Sequence, residues 1–357
     1  MTGTGGAFTT GMLRKMWDME NRRGKNLGWY FADVQAVTYE IRDLKRSRSG
    51  AAAPSTARGL AKLEERIAAA ELRREFHLMQ ALFSVGKVLD EQVAARTFAW
   101  QLEASSTIRG KSTFRYPSSA SATFASKTAE AGIDRAAGSS LWSRDAIVSQ
   151  LKDVLSDGLP KRMVRLDVED FFGSIPHPQL LEAVHDLQLP ASQTYLIESF
   201  IDEYASAMGV SHGLPRGVGL SSKLAELYMK QIDTLLRRVP GVIYYARFVD
   251  DIVLVAGRDA KSLSPSELYP LAEGHLAGAG LRANLKKSSE HLSAPSKSFQ
   301  FDFLGYSFVV NGASIKLELT RERSLRIRER IRLSFEAWDR SDHANTGRQG
   351  LLLHRLQ

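Results

Sequence analysis

Residues 244–255 read YYARFVDDIVLV. Eight of the twelve are bulky apolar or aromatic residues, yet Asp250 and Asp251 sit side by side in their midst. Two readings compete. Asp is a good turn former, so a hairpin would place both carboxylates in water. The other reading is a metal site, because a buried carboxylate pair is costly unless something positive neutralises it. Taken alone, the stretch favours the turn; the rest of the chain reverses that preference.

The 357 residues are 43% hydrophobic and include five Trp, enough for two or three subdomains with real cores. No apolar run reaches membrane-spanning length, and no basic leader precedes an apolar segment, so a soluble, cytoplasmic protein without a membrane partner is expected. The absence of Cys excludes disulfides, zinc thiolate sites and a Cys nucleophile. A net charge of +8 and a pI near 9.6 suggest a polyanionic partner, most simply nucleic acid.

The first hundred residues read as helical. Residues 11–46 mix Met16, Trp17, Val34, Val37 and Ile41 with many charges, SRSGAAAPSTARG (47–59) is a linker by composition, and an Ala-, Leu-, Glu- and Arg-rich helix is predicted from Leu60 to Leu102. Residues 105–140 turn to Ser, Ala, Thr and Gly. Within them IRGKSTFRYP (108–117) reads as a loop, solvated or phosphate-contacting, with Lys111 and Arg115 as its basic candidates. Ser143 opens a helix with Asp145 in its first turn. Met163 to Val168 form a short apolar strand ending at Asp167, and 178–208 read as helical. Asn311-Gly312 marks a hairpin. Residues 320–339 form a basic helix with Ile327, Ile331, Phe335 and Trp338 spaced along one face.

Asp167 ends one strand, and Asp250 and Asp251 mark the bend of a second pair. Three carboxylates on two strand ends can meet at one point. Oxygen ligands suit Mg²⁺, which takes the rest of its shell from water and substrate phosphates. Two such ions about 3.5–4 Å apart serve nucleotidyl transfer, activating a 3′-hydroxyl and stabilising the leaving pyrophosphate.

LDVEDFFGSI (166–175), GLPRGVGLSS (213–222), ARFVDDIVLV (246–255), GLRANLKKSS (280–289) and FDFLGYSF (301–308) resemble, in order and spacing, successive palm motifs of bacterial reverse transcriptases of the retron, group II intron and phage-defence kinds. The resemblance covers residues 140–310 and reaches into 105–140 and 315–357. It implies an α+β right-hand polymerase with fingers, a palm of antiparallel sheet plus helices, and a short helical thumb, preceded by a helical N-terminal region. The expected layout is an N-terminal region over 1–105, part of the fingers over 106–162, and the first catalytic strand over 163–177. Fingers and palm helices follow over 178–210, then palm with metal hairpin and primer grip over 211–312 and thumb over 313–357.

Carried over by position, the resemblance makes Asp167, Asp250 and Asp251 the catalytic metal carboxylates, with the Val168 carbonyl completing one ion's shell; the ions are two Mg²⁺, with Mn²⁺ as a substitute. Asp170, Phe171, Phe172, Arg216, Gly217, Ser221 and Lys287 fall on the nucleotide side. Phe172 matches the bulky ring that clashes with a 2′-hydroxyl, so DNA is the expected product, although both Phe171 and Phe172 could equally be core; adjacent strand residues face opposite ways, so one of them should be. Arg216 stands where glutamine is common and Ser222 where proline is frequent. Lys287 matches a basic position near the pyrophosphate, as general acid or as a solvated charge, beside Lys286. Phe303, Leu304, Gly305 and Tyr306 match the primer grip. Arg323, Arg326 and Arg330, with Arg328, would track a duplex backbone from the thumb. Arg247 reads as structural, paired with palm acids.

The leading reading is an RNA-directed DNA polymerase using dNTPs on an RNA template or noncoding RNA, in antiphage defence. Template-independent or protein-primed synthesis, an RNA polymerase, and an inactive RNA-binding scaffold are the competitors. A homo-oligomer or a protein partner through the N-terminal helices is a further expectation.

Overall fold

The computed structural model describes residues 6–49, 56–108, 110–138, 142–257 and 267–340. Along the chain run α1 (Thr10–Arg22), a 3-10 turn (Leu27–Tyr30), α2 (Ala32–Ser49), α3 (Ala57–Ala94), β1 (Glu103–Ile108), β2 (Lys111–Arg115) and α4 (Ala120–Ala137). They are followed by α5 (Arg144–Leu155), β3 (Lys161–Asp167), α6 (Phe171–Ser174), α7 (His177–Asp186), α8 (Ala191–Met208) and α9 (Gly219–Arg237). The last part holds β4 (Val242–Phe248), β5 (Asp251–Gly257), α10 (Leu268–Gly278), β6 (Ser289–Ser293), β7 (Ser298–Phe303), β8 (Tyr306–Asn311), β9 (Ser314–Leu319) and α11 (Arg321–Asp339). The chain divides into two compact units, one of residues 1–139 with 172–228 and one of residues 140–171 with 229–357. Among the described residues no helix is long and apolar enough to cross a membrane.

In the first unit, α2 and α3 pair through apolar residues at helical spacing. Val37, Ile41 and Leu44 meet Leu63, Ile67 and Ala70. Thr56 caps α3 by accepting from the Gly59 amide at 3.2 Å, so both ends of the expected linker 47–59 are helical, and its middle, 50–55, lies outside the described residues. The expected run of helix to residue 102 stops at Ala94. Arg96 takes a left-handed φ of 54°, and the chain turns outward to bury Trp100. The Trp100 indole donates to the Leu196 carbonyl at 3.1 Å and packs edge-on against Phe200, while Glu203 of α8 accepts from the Trp100 and Leu102 amides. Tertiary packing therefore overrides a helical composition.

The loop expected at 108–117 is corrected in part. The basic stretch is an antiparallel hairpin in which Ile108 pairs with Lys111. Beyond it lies α4, capped by Ser119, with Ala122, Ala125, Ser126, Thr128 and Ala129 buried. Its small residues permit close packing rather than flexibility. At Gly132 a Cβ would fall 2.1 Å from the Gln193 amide oxygen of α8. Residues 178–208 are helical as expected, in two helices separated where Gln188 adopts φ 50° ahead of Pro190.

In the second unit, β4-β5-β3-β6 form an antiparallel sheet and β7-β8-β9 a second one. Ile147, Leu151 and Leu155 of α5 share one core with Met163, Val253, Val255, Phe301 and Phe308. The unbroken apolar run of β5 follows from its place between β4 and β3. In the β8–β9 hairpin Asn311 pairs with Ser314, so the turn residues are Gly312 (φ 58°) and Ala313 rather than Asn-Gly. The basic helix is α11, and its expected apolar stripe of Ile327, Ile331 and Phe335 is exposed.

Replacing Trp100 with Ala is expected to cost about 3–5 kcal/mol, because a large buried ring cannot be replaced by local collapse. The lowered urea midpoint should be followed by near-UV circular dichroism; a change under about 1 kcal/mol would show that the Trp100–α8 contact is dispensable.

Candidate active site

The register of β3 against β5 decides the site. Asp167 is the direct cross-strand partner of Asp251, and the Val168 amide donates to the Asp250 carbonyl at 3.1 Å. Cross-strand partners project from the same face, so the two carboxylates share one side of the sheet. On the other edge of β5, Phe248 pairs with Asp251, leaving Val249 and Asp250 as a two-residue turn. Val249 has φ 59°. A positive φ at the first turn position is the type II′ pattern, normally filled by glycine, and a β-branched residue there is strained. Asp250 and Asp251 thus lie at a hairpin, as the simpler reading had it. Neither is in open water, however: Asp250 is half-buried and the Asp251 side chain is 26% exposed, beside an Asp167 side chain only 8% exposed.

Burial first, and then the charge of Asp250, push the Asp251 carboxyl up to about 6; Asp167 adds to the rise and Arg165 opposes it. Arg165 stands 3.5 Å from Asp251, and Lys287 pairs with Asp167 at 3.1 Å. The strand end is laced to the segment after α10: the Asn284 amide donates to the Asp167 carbonyl, the Glu169 amide to the Arg282 carbonyl, and the Asp167 amide to Ser288 Oγ. Sequence reasoning missed Arg165, although period-two alternation places it on the same strand face as Asp167. Among the described residues no three acidic or histidine side chains already close into a metal cage. The donor set nevertheless fits Mg²⁺ in kind: hard carboxylate oxygens whose mutual repulsion a divalent cation would relieve.

A model of the reverse transcriptase (RNA-dependent DNA polymerase) family matches residues 119–308, more than half of the chain. The chain belongs to the reverse transcriptase family. It is thereby an RNA-directed DNA polymerase at the level of its family, with a mixed fold of helices and antiparallel sheets. Among solved structures it is similar to apo telomerase from Candida tropicalis truncated from the C-terminal domain, at 11% identity over 80% of this chain and 76% of that one, with a TM-score of 0.42. It is also similar to telomerase from Candida tropicalis with a TWJ fragment of telomeric RNA, at 11% identity over 79% of this chain and 62% of that one, TM-score 0.42. Telomerase from Candida albicans with a TWJ fragment of telomeric RNA gives 13% identity over 82% and 64%, TM-score 0.38. No curated protein matches the chain.

Within the first unit of this reverse transcriptase, Phe172 and the loop 213–217 are tied together. The Leu214 amide donates to the Phe172 carbonyl at 2.7 Å, and the Arg216 guanidinium lies 5.8 Å from the Phe172 ring centre. The Arg216 carbonyl accepts from the Phe114 amide of β2. Gly217, at φ 92°, lets the backbone pass where a Cβ would meet the Phe114 carbonyl at 3.0 Å. Ser221 is wholly buried and donates to the Pro215 carbonyl at 2.6 Å, closing the loop. Lys111 and Arg115 stand exposed on the β1–β2 hairpin.

Phe171, the last residue of its segment in the second unit, is buried, whereas Phe172, the first of its segment in the first unit, is half-buried. The separation comes from a helical turn after Asp170 (φ 44°) rather than from strand alternation. Phe303 and Tyr306 pair across a turn in which Leu304 and Gly305 both have positive φ, 52° and 80°, the type I′ pattern. Arg323 stacks on the Tyr306 ring at 4.2 Å and donates to the Leu304 carbonyl, while the Tyr306 hydroxyl donates to Asp145. Arg323 therefore clasps this hairpin to α11, and Arg326 and Arg330 occupy the exposed face of the helix.

The raised Asp251 carboxyl has a thermodynamic consequence. Its proton is held more tightly in the folded chain than in the unfolded one, so the charged form costs stability in full above about pH 6, and the cost fades as pH falls from 6 toward the ordinary carboxyl value of 3.8. Without metal at pH 7.5, Asp251→Asn is expected to stabilise the protein by up to about 3 kcal/mol, to keep about half of that gain near pH 5 and to lose most of it near pH 4. Paired melting curves in chelator check this; an equal or lower melting temperature for the variant at pH 7.5 would refute it.

Proposed function

We propose that this reverse transcriptase makes DNA on an RNA template by two-metal nucleotidyl transfer. The observation that carries the reading is the pairing of Asp167 with Asp251 beside Asp250 at the end of two adjacent strands. Asp167, Asp250, Asp251 and the Val168 carbonyl would hold the two Mg²⁺ ions, which supply activation of a 3′-hydroxyl and charge stabilisation of the leaving pyrophosphate. Lys287 neutralises Asp167 in the chain as it stands and is the proton donor offered to the leaving group. Phe172, held by the Leu214 amide, serves as the barrier to a 2′-hydroxyl. Arg326 and Arg330 on α11, and Lys111 and Arg115 on the β1–β2 hairpin, offer charge to a nucleic-acid backbone. The retron- and defence-like character of the five motifs supports a role in bacterial antiphage defence with a noncoding RNA. Phage plating on cells with and without the active chain tests that role.

The purified chain with Mg²⁺, dNTPs and an RNA template with annealed primer should synthesise DNA. Asp250→Ala should reduce the rate by at least about 100-fold while leaving RNA binding intact, since the metal contribution is worth several kcal/mol. Full function in Asp250→Ala would favour the scaffold reading. Phe172→Ala should admit ribonucleotides, and equal use of NTPs and dNTPs by the unaltered chain would overturn the barrier assignment.

A contact between two copies of the chain is also proposed, through α3. Leu72, Phe76, Met79 and Phe83 are 73, 60, 39 and 63% exposed along one face. Their 4-3-4 spacing is palindromic about a point between His77 and Leu78, so an antiparallel second copy sets Leu72 against Phe83 and Phe76 against Met79. Exposed Lys87 then falls within one turn of Glu64 and Glu65 of the other copy. The face offers roughly 500 Å² per copy, near the lower bound of about 1,000 Å² in total for a specific interface. Light scattering should show a concentration-dependent dimer that Phe76→Glu with Phe83→Glu abolishes; a wild type monomeric at all concentrations would rule it out.

A further inference from the structure

The turn that carries Asp250 is strained at Val249, and a buried ionic network reaches it. Arg247, near the end of β4, has a side chain only 6% exposed. Its Nε donates to Asp233 Oδ1 at 2.7 Å and its Nη2 to Asp233 Oδ2 at 3.0 Å, a two-point fork. Its Nη1 donates to the Val249 carbonyl at 3.0 Å. Asp233, on α9, also accepts the Tyr245 hydroxyl at 2.5 Å, and the Arg237 guanidinium lies 5.0 Å from the Tyr245 ring centre. Burial, and then the charge of Asp233, push the Tyr245 phenol well above its usual value, so it stays a donor.

The atom that Arg247 holds is the informative one. The Val249 carbonyl belongs to the central peptide of the turn. That peptide is the unit whose rotation interconverts turn types, changing ψ of the first turn residue and φ of the second. Asp250 is the second. Its following carbonyl is held from the other side by the Val168 amide at 3.1 Å. Asp250 is thus fixed by one hydrogen bond on the peptide before it and one on the peptide after it. A valine at positive φ does not supply that fixity itself, whereas a glycine would relieve the strain.

We propose that Arg247, anchored by Asp233 and Tyr245, is a positioning residue: it holds the Val249–Asp250 peptide in the orientation that aims the Asp250 carboxylate toward Asp167 and Asp251. The inference rests on the polymerase reading of this site and extends it to residues that touch no substrate. The demand on geometry is severe, because a displacement of about 1 Å at reacting groups costs on the order of 100-fold in rate.

Arg247→Lys is the test substitution. It keeps the charge opposite Asp233 but loses the fork that reaches both Asp233 and the Val249 carbonyl. In the full chain, kcat for dNTP addition should fall roughly 10- to 100-fold with KM for dNTP changed less than about twofold. Mn²⁺ affinity, titrated without substrate, should fall several-fold. Adding Val249→Gly to Arg247→Lys should restore much of both, since the glycine turn is comfortable without the clamp; a purely structural loss would not be rescued this way. Melting curves correct each rate for the folded fraction, and Asp233→Asn, which keeps the shape, should weaken the clamp in the same direction. Unchanged kcat and Mn²⁺ affinity in folded Arg247→Lys, or a loss that Val249→Gly leaves untouched, overturns the proposal. A wild type that neither makes DNA nor binds Mn²⁺ overturns the polymerase reading and the clamp with it.

Discussion

Like charges held at the end of a buried strand are the constraint around which the second unit is arranged. β5 is apolar almost throughout and sits between two other strands, so its first residue, Asp251, begins where solvent screening is weak. Pairing it with Asp167 and placing Asp250 beside it raises the cost further, which the elevated Asp251 carboxyl records. The surrounding chain answers that cost locally. Arg165 approaches Asp251 from the neighbouring strand, and Lys287 reaches Asp167 from the segment laced beside it. Like charges gathered this closely raise the cost of ionising each of them.

The same economy runs through the backbone. Val249 and Leu304 occupy left-handed conformations in tight turns, and each turn is held by an arginine that donates to the carbonyl of that residue, Arg247 for the first and Arg323 for the second. In each case the guanidinium is anchored a second time, by Asp233 or by the Tyr306 ring with Asp145 near it. In both turns a side-chain hydrogen bond to the backbone holds a conformation that the residue at positive φ does not favour by itself.

Much of this was legible beforehand, for identifiable reasons. Asp167 and the Asp250–Asp251 pair stood out because charge inside an apolar run violates the pattern expected of a core strand. Arg247 invited a structural reading because a lone cation beside two acids in such a run needs a buried partner. The failures share a different cause. Residues 120–137 yielded only a composition of Ala, Ser, Thr and Gly and no element, whereas in the fold their small volume allows α4 to approach α8 closely. The helix expected through residue 102 ended early because burying Trp100 against α8 outweighed local propensity.

By itself, the sequence determined the chemistry on offer: which side chains carry charge, which runs must be buried, and where turns are unavoidable. These are properties of single residues and of spacing, so no fold is needed to read them. Only the tertiary structure decided which groups meet. That Asp251 faces Asp167 depends on a strand register that a one-residue slip would invert. That Asp233 serves Arg247 depends on the end of α9 lying against β4, a contact between segments whose own patterns say nothing about each other.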